Sequence, residues 1–396
     1  MNCSKAMLNY TQKTMHIALL TEGIHPLTIG GMPKHAYNLA KYLAQSGVRV
    51  TVFYPQSPNA GELPHHFSAQ ELTHLEFVAV HYPSSAKFPL HYLYNMYRYS
   101  KNVYAALKPT IANIDFVYVE GFAGWYTLKT GAKIPIATHF HGFEGFQPAA
   151  DLKSYLAEQI LVPFIGYNLK KSDYVFSLGG NITKIIREKL GIAPTKILEI
   201  PIGIDHKQFE QNNAKAQNKP IKFVFVGRYS RRKGIQELCT VLNQLIAAQI
   251  EFEFLFIGPI PEPLQIKHPN IRYTGALSDE KKIFELLFAA DVLVCPSYAE
   301  GMPTVILEAM ASQCAILATD VGAINELVNP QTGWLITHGN TDVLYKKMCE
   351  IIQTDPLTLQ QKQKAALALV NQKFTWQKVM QQTVAMLQNT TKTING

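Results

Sequence analysis

Glu300 and Glu308 stand eight residues apart in Tyr298-Ala299-Glu300-Gly301-Met302-Pro303-Thr304-Val305-Ile306-Leu307-Glu308-Ala309-Met310-Ala311. Pro303 suits the first turn of a helix, which leaves Glu300 in the preceding loop and carries Glu308 a little over one turn inside. Free backbone N–H groups at Met302, Thr304 and Val305 would then point out of the helix start and make an anion site, with a carboxylate on either side. A diphosphate could sit at that helix start while the carboxylates hold sugar and ribose hydroxyls. An ordinary capped helix with solvated glutamates has the same pattern, so the motif needs support from elsewhere in the chain.

Support comes from Gly227-Arg228-Tyr229-Ser230-Arg231-Arg232-Lys233-Gly234, a basic segment between an apolar run and a helix start. Arg228 and Lys233 could clamp a diphosphate, with Gly227 and Gly234 keeping the backbone tight. A solvated basic loop is the alternative. The Gly-Lys-Ser/Thr ending of a P-loop is missing, which disfavours NTP hydrolysis. Thr138-His139-Phe140-His141-Gly142-Phe143-Glu144 closes another apolar run, and a histidine at such a strand end points into a cleft. His139 and His141 share one strand face and could bind metal, but the sequence offers no convincing third ligand. Gly30-Gly31, with His35 following, permits close ligand approach, or is a plain strand-to-helix turn. It is not a G-x-G-x-x-G fingerprint, so nicotinamide binding gets no support. Cations that stabilise a departing diphosphate and carboxylates that hold hydroxyls are the parts for breaking a sugar–phosphate bond. No Asp-x-Asp occurs. Arg and Lys could replace the divalent ion such a site would bring, so neither metal nor cofactor is expected.

These residues need elements to position them. Residues 16–20 read as a buried strand, 29–33 as a glycine turn, 34–46 as a helix stopped by Gly47, and 48–54 as the next strand. That is the parallel α/β unit. Further strands are expected at 77–80, 116–119, 134–140 and 174–178. Residues 211–219 are polar and read as a surface connection. A second series follows at 221–226, 252–257, 271–273, 292–295, 315–318 and 334–336. Two parallel-sheet domains joined near Pro201–Asp205 account for the pattern, with ligands beyond the carboxyl ends of the strands and a cleft between the domains.

The motifs together resemble the retaining glycosyltransferases of family four, with the α/β GT-B fold of two facing Rossmann-like domains. The likeness runs over Gly30-Gly31-Met32, Ala137-Thr138-His139-Phe140-His141-Gly142, Phe225-Val226-Gly227-Arg228, Lys233-Gly234-Ile235 and Glu300-Gly301-Met302-Pro303 to Glu308-Ala309-Met310-Ala311. It continues over Thr319-Asp320-Val321-Gly322-Ala323 and Phe374-Thr375-Trp376. The resemblance implies an acceptor-binding domain at 1–202, a nucleotide-sugar domain at 203–373 and a C-terminal helix at 374–396 crossing back to the first domain. It implies catalytic roles for His141, Arg228, Lys233 and Glu300. It places the donor against Gly30, Gly31, Gly227, Gly301, Met302, Pro303, Thr304, Val305 and Glu308, with the nucleobase near Ala276 and Leu277. Glu300 would meet the sugar and Glu308 the ribose. Two positions depart from the family pattern: Ile202 stands where Asn usually precedes Gly-Ile-Asp, and Ile257-Gly258-Pro259 lacks the usual Asp-Gly.

The implied activity is transfer of a sugar from a UDP- or GDP-linked donor to a hydroxyl of a glycan or lipid-linked acceptor, with retention, in polysaccharide, lipopolysaccharide or glycolipid synthesis. An epimerase or phosphorylase on the same fold, or a non-catalytic nucleotide-sugar-binding protein, are the alternatives. At 396 residues the chain is long enough for two cores. Its net charge of +8, concentrated in the first half, permits anionic partners. No zinc-finger or RNP motif points to nucleic acid. The scattered cysteines Cys3, Cys239, Cys295, Cys314 and Cys349 suit a reducing cytoplasm, with Cys295 and Cys314 in the core. The start lacks the apolar core of a signal peptide, and no run is long enough to span a bilayer. The aromatic and basic stretch from Lys87 to Tyr99 reads either as a core helix or as a peripheral contact with the inner membrane face.

Overall fold

A computed structural model describes residues 14–84, 88, 90–205, 215 and 220–395. Contacts gather the chain into two compact units, residues 1–136 with 384–396, and residues 137–383. The domain boundary expected at 202/203 therefore falls inside the second unit.

The first unit carries β1 (His16–Leu20), β2 (Arg49–Pro55), β3 (Leu75–Val80) and β4 (Phe116–Glu120). The second carries β5 (Ile136–His139), β6 (Tyr174–Ser177) and β7 (Ile197–Glu199), apart from Ile136 at the junction. It also carries β8 (Lys222–Val226), β9 (Glu253–Ile257), β10 (Ile271–Tyr273), β11 (Val292–Cys295), β12 (Ala315–Thr319) and β13 (Gly333–Ile336). Strand orders are β3-β2-β1-β4-β5-β6-β7 and β10-β9-β8-β11-β12-β13. The paired strands inside each unit run parallel. Each strand predicted from an apolar run is present, with ends moved by a few residues. β7 is an addition. Two Rossmann-like parallel sheets make this the α/β GT-B architecture.

Parallel strands covered on both faces need near-continuous apolar residues. β8 and β9 meet this with Phe223 opposite Phe254 and Phe225 opposite Phe256. Their ring centroids lie 6.4 and 5.8 Å apart, and Phe256 stacks on Tyr273 of β10 at 4.8 Å. Burying each such ring contributes about 1.5–3 kcal/mol. The helix Ile235–Ala247 covers this sheet with Ile235, Leu238, Val241, Leu242 and Leu245, the spacing of one helical face. Cys295 and Cys314 are buried.

In the first unit, the helix expected to begin at Lys34 spans Gly31–Gln45. Gly30 is its cap, with φ 153°, a conformation open to glycine and strained for other residues. The turn and the helix start therefore overlap. Of the expected surface connection at 211–219, only Lys215 lies within the described residues. It is buried, and its Nζ donates to the Gln313 carbonyl oxygen at 2.7 Å.

In the six-stranded sheet the chain leaves β8 toward β9 and β10, then returns to the other side of β8 as β11. The reversal opens a crevice at the carboxyl ends of β8 and β11, where ligands of such sheets bind.

Candidate functional site

The loops leaving β8 and β11 lean on each other. After β8, Arg231–Lys233 form one 3-10 turn, and Gly234 leads into the helix Ile235–Ala247. After β11, residues 296–303 lead into the helix Thr304–Ala311. Tyr298 N donates to Arg232 O at 2.8 Å, and Arg232 Nη1 donates to Ala299 O at 2.6 Å. These bonds present Glu300 to the basic turn.

Glu300 is 5% exposed. Its Oε1 accepts from Lys233 Nζ at 2.6 Å and from Ser297 Oγ at 2.8 Å, and its Oε2 accepts from Arg232 Nη1 at 3.3 Å. Burial raises the carboxyl pKa, but Lys233 and then Arg232 outweigh it and hold Glu300 below its ordinary value. The group is therefore a carboxylate at neutral pH.

The cations of the basic segment have separate positions. Arg231 is bound to Glu237 at 2.8 Å and lies over the Tyr298 ring. Arg232 and Lys233 face Glu300. Arg228 is exposed at the end of β8 and meets no partner among the described residues. The sequence grouped Arg228 with Lys233; the structure sets Lys233 on a carboxylate and leaves Arg228 open to an anion. Gly227 N donates to Ile257 O at 2.9 Å, and Gly258 forms a bridge with Gly275 that precedes Ala276 and Leu277.

The helix Thr304–Ala311 begins one residue later than proline at its first position would give: Pro303 is the cap, in extended conformation. The amides of Thr304 and Val305 fall in the first turn, which has no intrahelical acceptor for them. Met302 is buried, and Glu308 is half-buried on the second turn.

His141 follows β5, and its ring lies 4.0 Å from that of His139 between centroids. Gly301 lies against it: a Cβ at Gly301 would overlap the His141 carbonyl oxygen. Only glycine permits this approach of the loops after β5 and β11. Gln147 reinforces the approach, its Nε2 donating to Glu300 O at 2.7 Å and its Oε1 accepting from Glu300 N at 3.4 Å. Gly30 and Gly31 lie in the first unit, where His35 is buried with Nδ1 2.7 Å from Glu120 Oε1.

Sequence reasoning missed Arg232, Ser297 and Gln147 as members of this constellation. Arg232 was visible in the basic run, but its partner depends on which way a 3-10 turn faces. Gln147 carries no local signal.

Two family models match the chain, one described as Glycosyltransferase Family 4 over residues 29–208 and one as Glycosyl transferases group 1 over residues 220–354. The chain is 27% identical over 215 residues to a putative colanic acid biosynthesis glycosyltransferase of Salmonella typhimurium, covering 51% of this chain and 53% of that one. It is 34% identical over 146 residues to a putative teichuronic acid biosynthesis glycosyltransferase of Bacillus subtilis, covering 35% and 36%. The chain thus spans about half the length, or less, of these curated relatives. Its fold is similar to that of sucrose-phosphate synthase from Thermosynechococcus elongatus, with TM-score 0.76, 18% identity, and 95% and 98% of the two chains covered. It is also similar to Anabaena HepE in complex with UDP-glucose, with TM-score 0.68, 17% identity, and 95% and 100% covered.

Proposed function

The chain belongs to the group 1 glycosyltransferases of family four, and from that premise we propose that it transfers a sugar from a nucleotide-sugar donor to an acceptor hydroxyl with retention at the anomeric carbon. The observation that carries the reading is the Glu300 carboxylate, buried and held by Lys233 at 2.6 Å where the loops after β8 and β11 meet.

Arg228, Arg232 and Lys233 supply positive charge where a departing diphosphate gains negative charge. The amides of Thr304 and Val305 add the helix start. The bond from the anomeric carbon to the diphosphate oxygen breaks, the bond to the acceptor oxygen forms on the same face, and the acceptor proton passes to the departing phosphate oxygen. Glu300 holds sugar hydroxyls, Glu308 the ribose, and His141 the far side of the sugar. Gly227 lets the backbone approach the phosphates, and Ala276 and Leu277 flank the base. Side-chain cations fill the role of a divalent ion, so turnover proceeds without metal.

HepE, which shares the fold, is solved with UDP-glucose, which supports a nucleotide-sugar donor, UDP- or GDP-linked. Relatives named for colanic and teichuronic acid biosynthesis support a glycan or lipid-linked acceptor in polysaccharide synthesis. No helix of the described residues is long and apolar enough to cross a membrane. A lipid-linked acceptor would be met by a peripheral contact at the membrane face.

Calorimetric titration with UDP, GDP and ADP and their sugars, in EDTA and in Mg²⁺, tests the reading. One nucleoside diphosphate should bind saturably in both buffers, and NMR of the product should show the donor's anomeric configuration. No binding by any of them to folded protein would remove the donor step, and an inverted product would remove retention.

A further inference from the structure

Gln147 grips the backbone of Glu300 from a loop on the other side of the site. Its side-chain amide meets both polar groups of that residue, donating to the carbonyl at 2.7 Å and accepting from the N–H at 3.4 Å. This is the bonding of one rung between strands, made by a side chain. The adjacent residue, Gly301, lies against the His141 carbonyl oxygen. Residues 300 and 301 are thus registered against residues 147 and 141 of one loop.

That loop is itself fixed. Gln159 Nε2 donates to Gly145 O at 2.6 Å, and Lys189 Nζ donates to Phe146 O at 2.5 Å. Phe143 is buried with φ 151°, outside the ordinary range of a residue with a side chain. Surroundings that over-determine a loop can hold such a conformation. The Gln147 amide passes this rigidity to the backbone that carries the Glu300 carboxylate.

We propose that Gln147 is a positioning residue for glycosyl transfer: it fixes the Glu300 backbone relative to the loop bearing His141, so that both meet one sugar. The proposal rests on the transferase reading above and adds a residue outside the glutamate, basic and histidine motifs. An error of about 1 Å in placing a reacting group costs about 10²-fold in rate. The diphosphate is met by Arg228, the basic turn and the helix start, and Gln147 hydrogen-bonds none of these but only the Glu300 backbone. Loss of Gln147 should therefore lower kcat and leave nucleoside diphosphate affinity in place.

The test compares Gln147→Leu and Gln147→Glu with the wild-type chain, following transfer, nucleoside diphosphate affinity and Tm. In Q147L, kcat should fall about 10²-fold with affinity for the diphosphate within about 3-fold. In Q147E the carboxylate has no proton for the Glu300 carbonyl, and the acid form has one. Its activity relative to wild type should therefore rise as pH falls through the introduced carboxyl's pKa, whereas the Q147L ratio stays flat. A merely structural contact would not give that profile. Q147L turning over like wild type, or a Q147E ratio independent of pH, would overturn the role of Gln147. Wild-type protein that transfers from no nucleotide sugar would overturn the transferase reading instead, and the two failures are read from separate samples.

Discussion

Lys233 Nζ lies 2.6 Å from Glu300 Oε1, which joins the basic turn after β8 to the carboxylate loop after β11 as one electrostatic unit. Arg232 closes on the other carboxylate oxygen at 3.3 Å. Part of the positive charge at the crevice is thus already matched, and Arg228 stands apart from that match. The sequence shows four cations in a row of six; the structure gives them three different tasks.

Arg228→Ala should weaken nucleoside diphosphate binding by about 10- to 100-fold, the usual worth of a charge-assisted hydrogen bond. Tm should hold, since Arg228 is exposed. Arg231→Ala should do the reverse. It removes the pair with Glu237 and the contact with Tyr298, costing about 1–2 kcal/mol of stability, with little change in affinity. Calorimetric titration beside thermal melts separates the two; equal loss of affinity in both variants would refute the division.

Glu300→Gln keeps the side chain's shape and removes its charge. Transfer should fall by about 10²–10³-fold, the scale for losing one preorganised electrostatic contact. A pH signature accompanies it. The folded-state pKa of Glu300 is lowered by Lys233 and Arg232 against the opposing effect of burial. Its contribution to stability is therefore complete above the ordinary value of 4.5 and is lost as pH falls through the lower folded value. The Tm gap between wild type and E300Q should narrow below pH 4.5 and stay constant above it; a gap that widens in acid would contradict the ion pair.

Gly301→Ala should damage transfer more than any alanine on the exposed face of Thr304–Ala311, because the new methyl must displace the His141 carbonyl. Transfer assays with melts for each variant would check this. An active, fully stable G301A would mean that the loops do not meet this closely in solution.

Glu22 in the first unit behaves oppositely to Glu300. Burial pushes its carboxyl up to about 7, against the hydrogen bonds from Phe122 N and the Tyr92 hydroxyl. The folded state then holds a proton that the unfolded state has released, so stability falls as pH rises from 4.5 toward 7 and is level above that. Glu22→Gln should therefore raise Tm at pH 8 and change it little at pH 4.5. Identical Tm shifts at both values would argue against a neutral Glu22.

How much of this was legible depended on the range of each interaction. β1, β8 and β11 announce themselves as apolar runs, since buried parallel strands need continuous side-chain burial. β7 does not: Ile197-Leu198-Glu199 is three residues at a sheet edge, with only Leu198 buried. The Gly30-Gly31 turn was legible as a turn, but not that its second glycine is already helical. Glu300, Lys233 and His141 were readable because each sits at the junction of an apolar run and a turn. The partners Arg232 and Gln147 were not. Gln147 lies 153 residues from Glu300, and no local pattern encodes a side-chain amide matched to a distant backbone.

The turn after β6 is tied to the turn after β12. Asn181 N donates to Gly322 O at 3.0 Å, Asn181 Nδ2 to Asp320 Oδ1 at 2.9 Å, and Gly180 N to Glu326 Oε1 at 2.9 Å. Gly322 belongs to the loop that packs against the Glu300 carbonyl. The Asn181 amide therefore exchanges its hydrogen with solvent only when that tie breaks, and its exchange rate reports on the site from a neighbouring turn. Slower exchange in the presence of a nucleotide would register the loops tightening, one peptide bond serving as the protein's own gauge of occupancy.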